Sequence, residues 1–232
     1  MEVLYEDNHI IIVSKTSSEI VQGDKTGDTP LSETVAAWLK EKYSKPGNVF
    51  VGVTHRLDRP VSGIVVFAKT GKALARLNDM FRDGNVDKRY LAIVKNRPEN
   101  DEGELHNWLV RNEKQNKSYA YDTEKPGSKE AVLKYHLIGS SKNYHLLEIE
   151  LMTGRHHQIR CQLSKMGCPI KGDLKYGADR SNPDGSISLH AYHICFEHPV
   201  SHKQISVFAP VPEDNLWQSF SSIIQQDCRD NQ

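Results

Sequence analysis

Leu31, Val35 and Leu39 recur every four residues, the spacing of one helix face. Thr29-Pro30 stands just ahead of them as an N-cap and first helical position, which predicts a helix over 30–43. Leu74, Leu77 and Phe81 share a second face, with Thr70 as cap and Gly84 as terminator. From Leu147 to Leu151 the pattern becomes strict alternation, as in a half-buried strand. Short apolar runs predict further strands at 9–13, 49–53, 63–69 and 88–94, and the β-rich middle adds 103–110, 118–123, 130–138 and 144–151. Helical spacing returns from Thr153 to Met166, with Ile159, Leu163 and Met166 on one side and Gly167 as the C′ residue. A loop rich in Gly, Asp, Asn and Pro runs from Gly172 to Ser186. Strands near 187–196 and 203–208 follow, then a helix around 213–226.

This order lacks the regular alternation of a parallel α/β sheet. It predicts an α+β fold, a mixed, largely antiparallel sheet core with flanking helices. The 232 residues, 38% hydrophobic, suffice for a packed core, and the chain is read as one domain over 1–232 with no internal repeat. Because the first strand starts within the first few residues, no accessory N-terminal domain is expected. No run of 18 apolar residues is present, and Met1–Asp7 has neither a basic nor an apolar leader region. A cytoplasmic protein without membrane contact is expected. Cys161, Cys168, Cys195 and Cys228 form no CxxC pair, and reduced thiols fit that compartment.

The formal net charge is zero, which weighs slightly against nucleic acid. Its distribution changes that picture. Lys69–Arg97 holds eight Lys/Arg against three acids, and Leu151–Arg180 holds six against two. Glu99–Glu150 is acidic by ten to seven. A neutral chain can therefore carry a basic face.

Two segments carry candidate chemistry. In His55-Arg56-Leu57-Asp58-Arg59-Pro60-Val61-Ser62-Gly63, one carboxylate sits in a turn between two apolar strands, where a fold holds reactive groups rigidly. A lone Asp in a turn usually makes a cap or an Asx-turn, so this loop alone does not decide. In Thr153-Gly154-Arg155-His156-His157-Gln158-Ile159-Arg160, two arginines and two histidines crowd a predicted helix start, whose free N–H groups and dipole suit phosphate.

The first segment resembles the catalytic loop of the RluA-like pseudouridine synthases, His-Arg-Leu-Asp-x-x-Thr/Val-Ser-Gly, and the second resembles their Thr-Gly-Arg-x-His-Gln-Ile-Arg motif. Lys88-Arg89-Tyr90, Gly172-Asp173-x-x-Tyr176-Gly177 and Leu189-His190-Ala191 resemble further motifs in the same order. Tyr5-Glu6-Asp7 with Lys15 resembles the N-terminal core, with Thr16 where a proline is usual. The resemblance spans about residues 3–210, and a member without the S4-like domain that many carry is expected.

The resemblance implies an RNA isomerase that converts uridine to pseudouridine in rRNA, tRNA or both. Asp58 takes the place of the essential aspartate, Tyr90 that of the tyrosine packed on uracil, and Arg160 that of the arginine paired with the aspartate. Arg56 corresponds to the residue that fills the space left by the flipped base. His55, Leu57, Arg155, His157 and Gln158 complete the uridine- and RNA-binding set. The reaction breaks C1′–N1 and forms C1′–C5 without redox change, so no cofactor and no metal are expected. Asp58 could attack C1′, as a retaining glycosidase nucleophile does, or take the C2′ proton, or, less favourably, attack uracil C6. The expected partner is an rRNA or tRNA stem-loop, met by a monomer.

His190, His193, Cys195 and His198 look like metal ligands, but on a strand His193 and Cys195 face one way and His190 and His198 the other. Two rival functions remain. A retaining hydrolase with Asp58 as nucleophile needs a second carboxylate about 5 Å away, which these motifs do not supply. A catalytically inactive RNA-binding module would not need Asp58, Tyr90 and Arg160 together.

Overall fold

The computed structural model describes residues 1–230, without the side chains of 227–230; the Cys228 thiol therefore lies outside what is described. Chain packing divides it into two compact units, Met1–Val86 with His193–Pro210, and Asp87–Tyr192 with the residues from Val211 on.

In the first unit, β1 (Glu2–Glu6) and β2 (Ile10–Lys15) form an antiparallel hairpin. The apolar pattern showed only the second of these strands. The Asp7 carboxylate turns the chain by accepting the N–H groups of His9 (2.7 Å) and Ile10 (2.9 Å). β2 pairs with β4 (Ser62–Ala68), which is buried along its whole length. β3 is only Gly52–Val53, shorter than the strand predicted at 49–53. Main-chain pairing stops there because side chains take over. Thr54 Oγ1 donates to the Val66 carbonyl (2.6 Å), and His55 Nε2 accepts the Val66 N–H (3.0 Å).

Helix α1 (Leu31–Lys42) buries Leu31, Val35 and Leu39 as the spacing requires. Its start is capped by the preceding main chain rather than by Thr29. The Leu31 and Ser32 N–H groups donate to the carbonyls of Ile20 and Val21. Helix α2 (Gly71–Asp83) has the expected ends, with Thr70 Oγ1 on the Ala73 N–H and Gly84 at φ 77°. Its apolar face joins Ile10, Ile12, Ile64 and Val66 in the core, together with Phe196 and Ile205 of the later hairpin β10 (Leu189–Glu197) and β11 (Gln204–Phe208).

In the second unit, β5 (Val86–Val94), β9 (His145–Leu151), β8 (Lys129–Ser140), β6 (Glu102–Asn112) and β7 (Lys117–Tyr121) pair in that spatial order, each antiparallel to its neighbour. Helix α3 (Gln158–Lys165) covers one face, where Leu109, Ala131, Cys161 and Tyr176 pack together. It is five residues shorter at its start than the helix predicted from Thr153. His157 has φ 53°, a left-handed conformation that cannot belong to a right-handed helix. The predicted C-terminal helix is two helices, α4 (Asn215–Gln218) and α5 (Ser221–Asp230). Ser219 Oγ takes the Leu216 carbonyl at the break, and Trp217, Phe220 and Ile224 are buried. The mixed, antiparallel architecture is the one the element order predicts.

Candidate active site

The Asp58 loop, residues 54–61, leaves β3 and enters β4. His55 anchors its start. Besides accepting from Val66, the imidazole stacks on Phe81 of α2 at 4.7 Å. An Nε2 that accepts must be unprotonated, so at this position the ring is a structural brace. Leu57 is buried, Asp58 half-buried and Arg56 exposed, with Arg56 Nη1 3.5 Å from Gln22 Oε1. The Val61 N–H closes the turn onto the Asp58 carbonyl (3.0 Å). Gly63, at φ 113°, returns the chain to the sheet in a conformation that L side chains rarely adopt.

Lys15 holds this turn from below. It lies at the end of β2, opposite Gly63, and is 1% exposed. Its ammonium reaches four carbonyls, Val61 (2.6 Å), Thr16 (3.0 Å), Arg59 (3.1 Å) and Asp58 (3.4 Å). Burial lowers its pKa to about 8, against the pull of the Glu19 and Asp58 carboxylates. Lysine is among the residues least often fully buried, so only the motif resemblance drew notice to it in the sequence.

The pKa of Lys15 has a measurable consequence. Between pH 8 and 10.5 the unfolded chain holds the Lys15 proton and the folded chain releases it. Stability from this group therefore rises with pH across that window. Lys15→Met lacks that slope. Wild type should gain on the variant by about 2–3 kcal/mol over the window in urea denaturation. A constant difference would mean that Lys15 keeps an ordinary pKa. Below pH 8 the variant should also turn over more slowly, because the Asp58 turn loses its anchor.

The second unit positions the other candidates. Tyr90 lies on β5 opposite Ile149 of β9 and is half-buried. Arg160, in the first turn of α3, is 6% exposed, and its Nε and Nη2 donate to the two carboxylate oxygens of Asp173 (2.7 and 2.9 Å). Its guanidinium lies 5.1 Å from the centre of the Tyr176 ring. Asp173 and Tyr176 fall in a matched motif, but the sequence alone assigned them no role. An Asp thirteen residues after its partner, across a turn, has no local signature.

The Arg155–Arg160 cluster is divided by the structure rather than forming one anion-facing helix start. The Tyr176 hydroxyl accepts the Ser118 N–H (2.8 Å) and lies 3.0 Å from His157 Nδ1. Burial and the nearby Arg160, His156, Lys175 and Arg111 lower the pKa of His157 to about 2, so its ring braces α3 and offers phosphate no cation. Gln158 is also buried. Its Oε1 accepts from Thr153 Oγ1 (2.8 Å) and the Arg155 N–H (2.9 Å), and its Nε2 donates to the Val132 carbonyl (3.1 Å). Arg155 remains exposed, with Nε on the Glu130 carbonyl (2.8 Å).

Gly172 precedes Asp173 at φ 90°, and a Cβ there would lie 2.7 Å from the Ser186 carbonyl. Gly172→Ala should therefore destabilise the protein by about 1–3 kcal/mol in thermal melts, with activity falling as Asp173 shifts. An unchanged melting temperature would show that this loop can relax.

The histidines near the end of the chain have separate structural tasks. His190 meets Trp217 edge-on (5.8 Å). His193 Nε2 is 2.9 Å from Ser206 Oγ, and its ring stacks on Phe208. His198 accepts the Val200 and Ser201 N–H groups at Nδ1 and pairs with Asp7 at 2.8 Å.

A half-buried carboxylate on a pinned turn suits attack at a sugar carbon or removal of its neighbouring proton. Comparison with known proteins identifies the family. The family model described as RNA pseudouridylate synthase matches residues 9–165. Ribosomal large subunit pseudouridine synthase D of Zymomonas mobilis is 33% identical over 224 residues, covering 92% of this chain and 70% of that protein. Ribosomal large subunit pseudouridine synthase C of Rickettsia bellii is 31% identical over 212 residues, covering 90% and 68%. The solved structure of human RNA pseudouridylate synthase domain containing 4 shares the fold, with a TM-score of 0.78 at 20% identity, over 96% of this chain and 92% of that one. Fold, motif order and these relatives agree, and the chain belongs to the RNA pseudouridylate synthase family, whose members isomerise uridine in RNA.

Proposed function

We propose that this pseudouridine synthase modifies uridines of large-subunit rRNA, with Asp58 as the catalytic carboxylate. The ribosomal relatives support the substrate class. The observation that carries the assignment is the Asp58 turn, pinned through its carbonyls by a buried lysine and braced by His55. Asp58 either bonds to C1′ or takes the C2′ proton. The C1′–N1 bond breaks, the uracil turns, C1′–C5 forms, C5 loses its proton to solvent and N1 gains one. Tyr90 packs on the detached base, where stacking is worth about 1–3 kcal/mol. Arg160 takes the place of the arginine that the family motif sets beside the aspartate, and Arg56 fills the space left by the extruded nucleotide. Leu57 shapes the loop, and exposed Arg155 meets phosphate.

The enzyme works in the cytoplasm as a single catalytic domain and a monomer, without metal or cofactor, on a short stem-loop whose unpaired uridine is cheap to extrude. Among the described residues, no helix is long and apolar enough to cross a membrane. Mapping pseudouridines in RNA from a strain lacking the gene tests the substrate. Loss at one or a few positions of large-subunit rRNA is expected, and loss confined to tRNA would overturn it.

A further inference from the structure

We infer that the face of the β6–β7–β8 ladder turned away from α3 is a second RNA surface, which stacks unpaired bases. Cross-strand pairs place Trp108 beside Tyr121 and Val110 beside Tyr119 on that face. Their neighbours in sequence, Leu109 and Ala120, belong to the cluster beneath α3, so the aromatic residues face the other way. Tyr119 and Tyr121 are each 38% exposed, and Trp108 is partly exposed. A cross-strand aromatic pair stabilises a sheet by itself, but that does not require a second open tyrosine beside it.

The flanking charges favour a polyanion. Lys117 Nζ lies 5.5 Å from the Tyr119 ring at one end. At the β8 side, Glu130 pairs with Trp108 across the ladder; its carboxylate is engaged by His106 Nε2 (2.8 Å), and its carbonyl holds Nε of the exposed Arg155. Rings between two cations suit bases between two phosphates. Further along the same face, Glu102, Glu104, Glu148 and Glu150 outnumber Lys134 and His136 and line a groove. Those carboxylates repel RNA and confine it to the aromatic end. The inference rests on the reading above for Arg155 as an RNA contact, but not on the role of Asp58.

The test is binding of a labelled twelve-nucleotide oligouridine to the full chain, by fluorescence anisotropy at fixed salt. Replacing both tyrosines, Tyr119→Ala with Tyr121→Ala, should raise Kd about 100-fold, near tenfold per lost ring. The corresponding double Phe variant keeps both rings and should stay within about threefold of wild type. Lys117→Ala should lower the salt slope by about 0.7, the single-strand value for one phosphate contact. Asp58→Ala should leave Kd unchanged, so loss of catalysis and loss of this surface are read separately. Thermal melts equal to wild type show that the substitutions leave the fold intact. A double Ala variant that binds within about threefold of wild type overturns the inference. So does a double Phe variant as weak as the Ala one. A change in sedimentation with unchanged RNA affinity would also overturn it, identifying the face as a contact between copies.

Discussion

Asp58→Ala or Asp58→Asn is expected to lower single-turnover pseudouridine formation by about 10⁴-fold or more, the scale on which enzymes lose rate when a reacting group is deleted. RNA binding should survive, because phosphate contacts are spread over many side chains while the proposal gives the chemistry to one carboxylate. The turn itself should persist in both variants. Lys15 grips main-chain carbonyls, and the Val61 N–H closes on the carbonyl of residue 58, so neither contact needs the carboxylate. Loss of activity with an intact fold would therefore report chemistry. More than a trace of turnover in Asp58→Ala would remove Asp58 from this role.

Arg160→Ala should cost about 3–5 kcal/mol of stability, because it leaves the Asp173 carboxylate buried without its two guanidinium bonds. Against a typical total of about 5–15 kcal/mol, that is a large fraction. Turnover should fall as well, since the proposed function counts Arg160 among the catalytic residues. Arg160→Lys keeps the charge but not the planar fork, so it should recover only part of the stability. Urea denaturation separates these cases. A cost under about 1 kcal/mol would show that the Arg160–Asp173 pair does not hold this loop. Near-wild-type turnover would remove Arg160 from the catalytic set.

What the sequence displays depends on how local its causes are. Helix α2 was legible to the residue because its cap, apolar face and terminating glycine lie within fifteen positions. The Asp58 loop was legible because its motif residues are consecutive. The segment 153–157 was misread as helix because its apolar spacing is helical. The tie of Gln158 to Thr153, Arg155 and Val132 folds it into a turn instead, and β8 supplies one of those partners from twenty-six residues away. Lys15 and Asp173 gain meaning only from carbonyls and a guanidinium brought near by the fold. The exposed tyrosines of β7 look like ordinary strand residues until the register shows which face they share.

The central claim is uridine isomerisation by the Asp58 turn, and its most direct test uses large-subunit rRNA transcripts carrying tritium at uracil C5. Wild-type protein should release tritium to water in step with pseudouridine formation, with and without EDTA, and Asp58→Ala should release none. Free uracil with an abasic site would instead mark a hydrolase, and bound but unaltered RNA would mark a binding module. Either result would contradict the account.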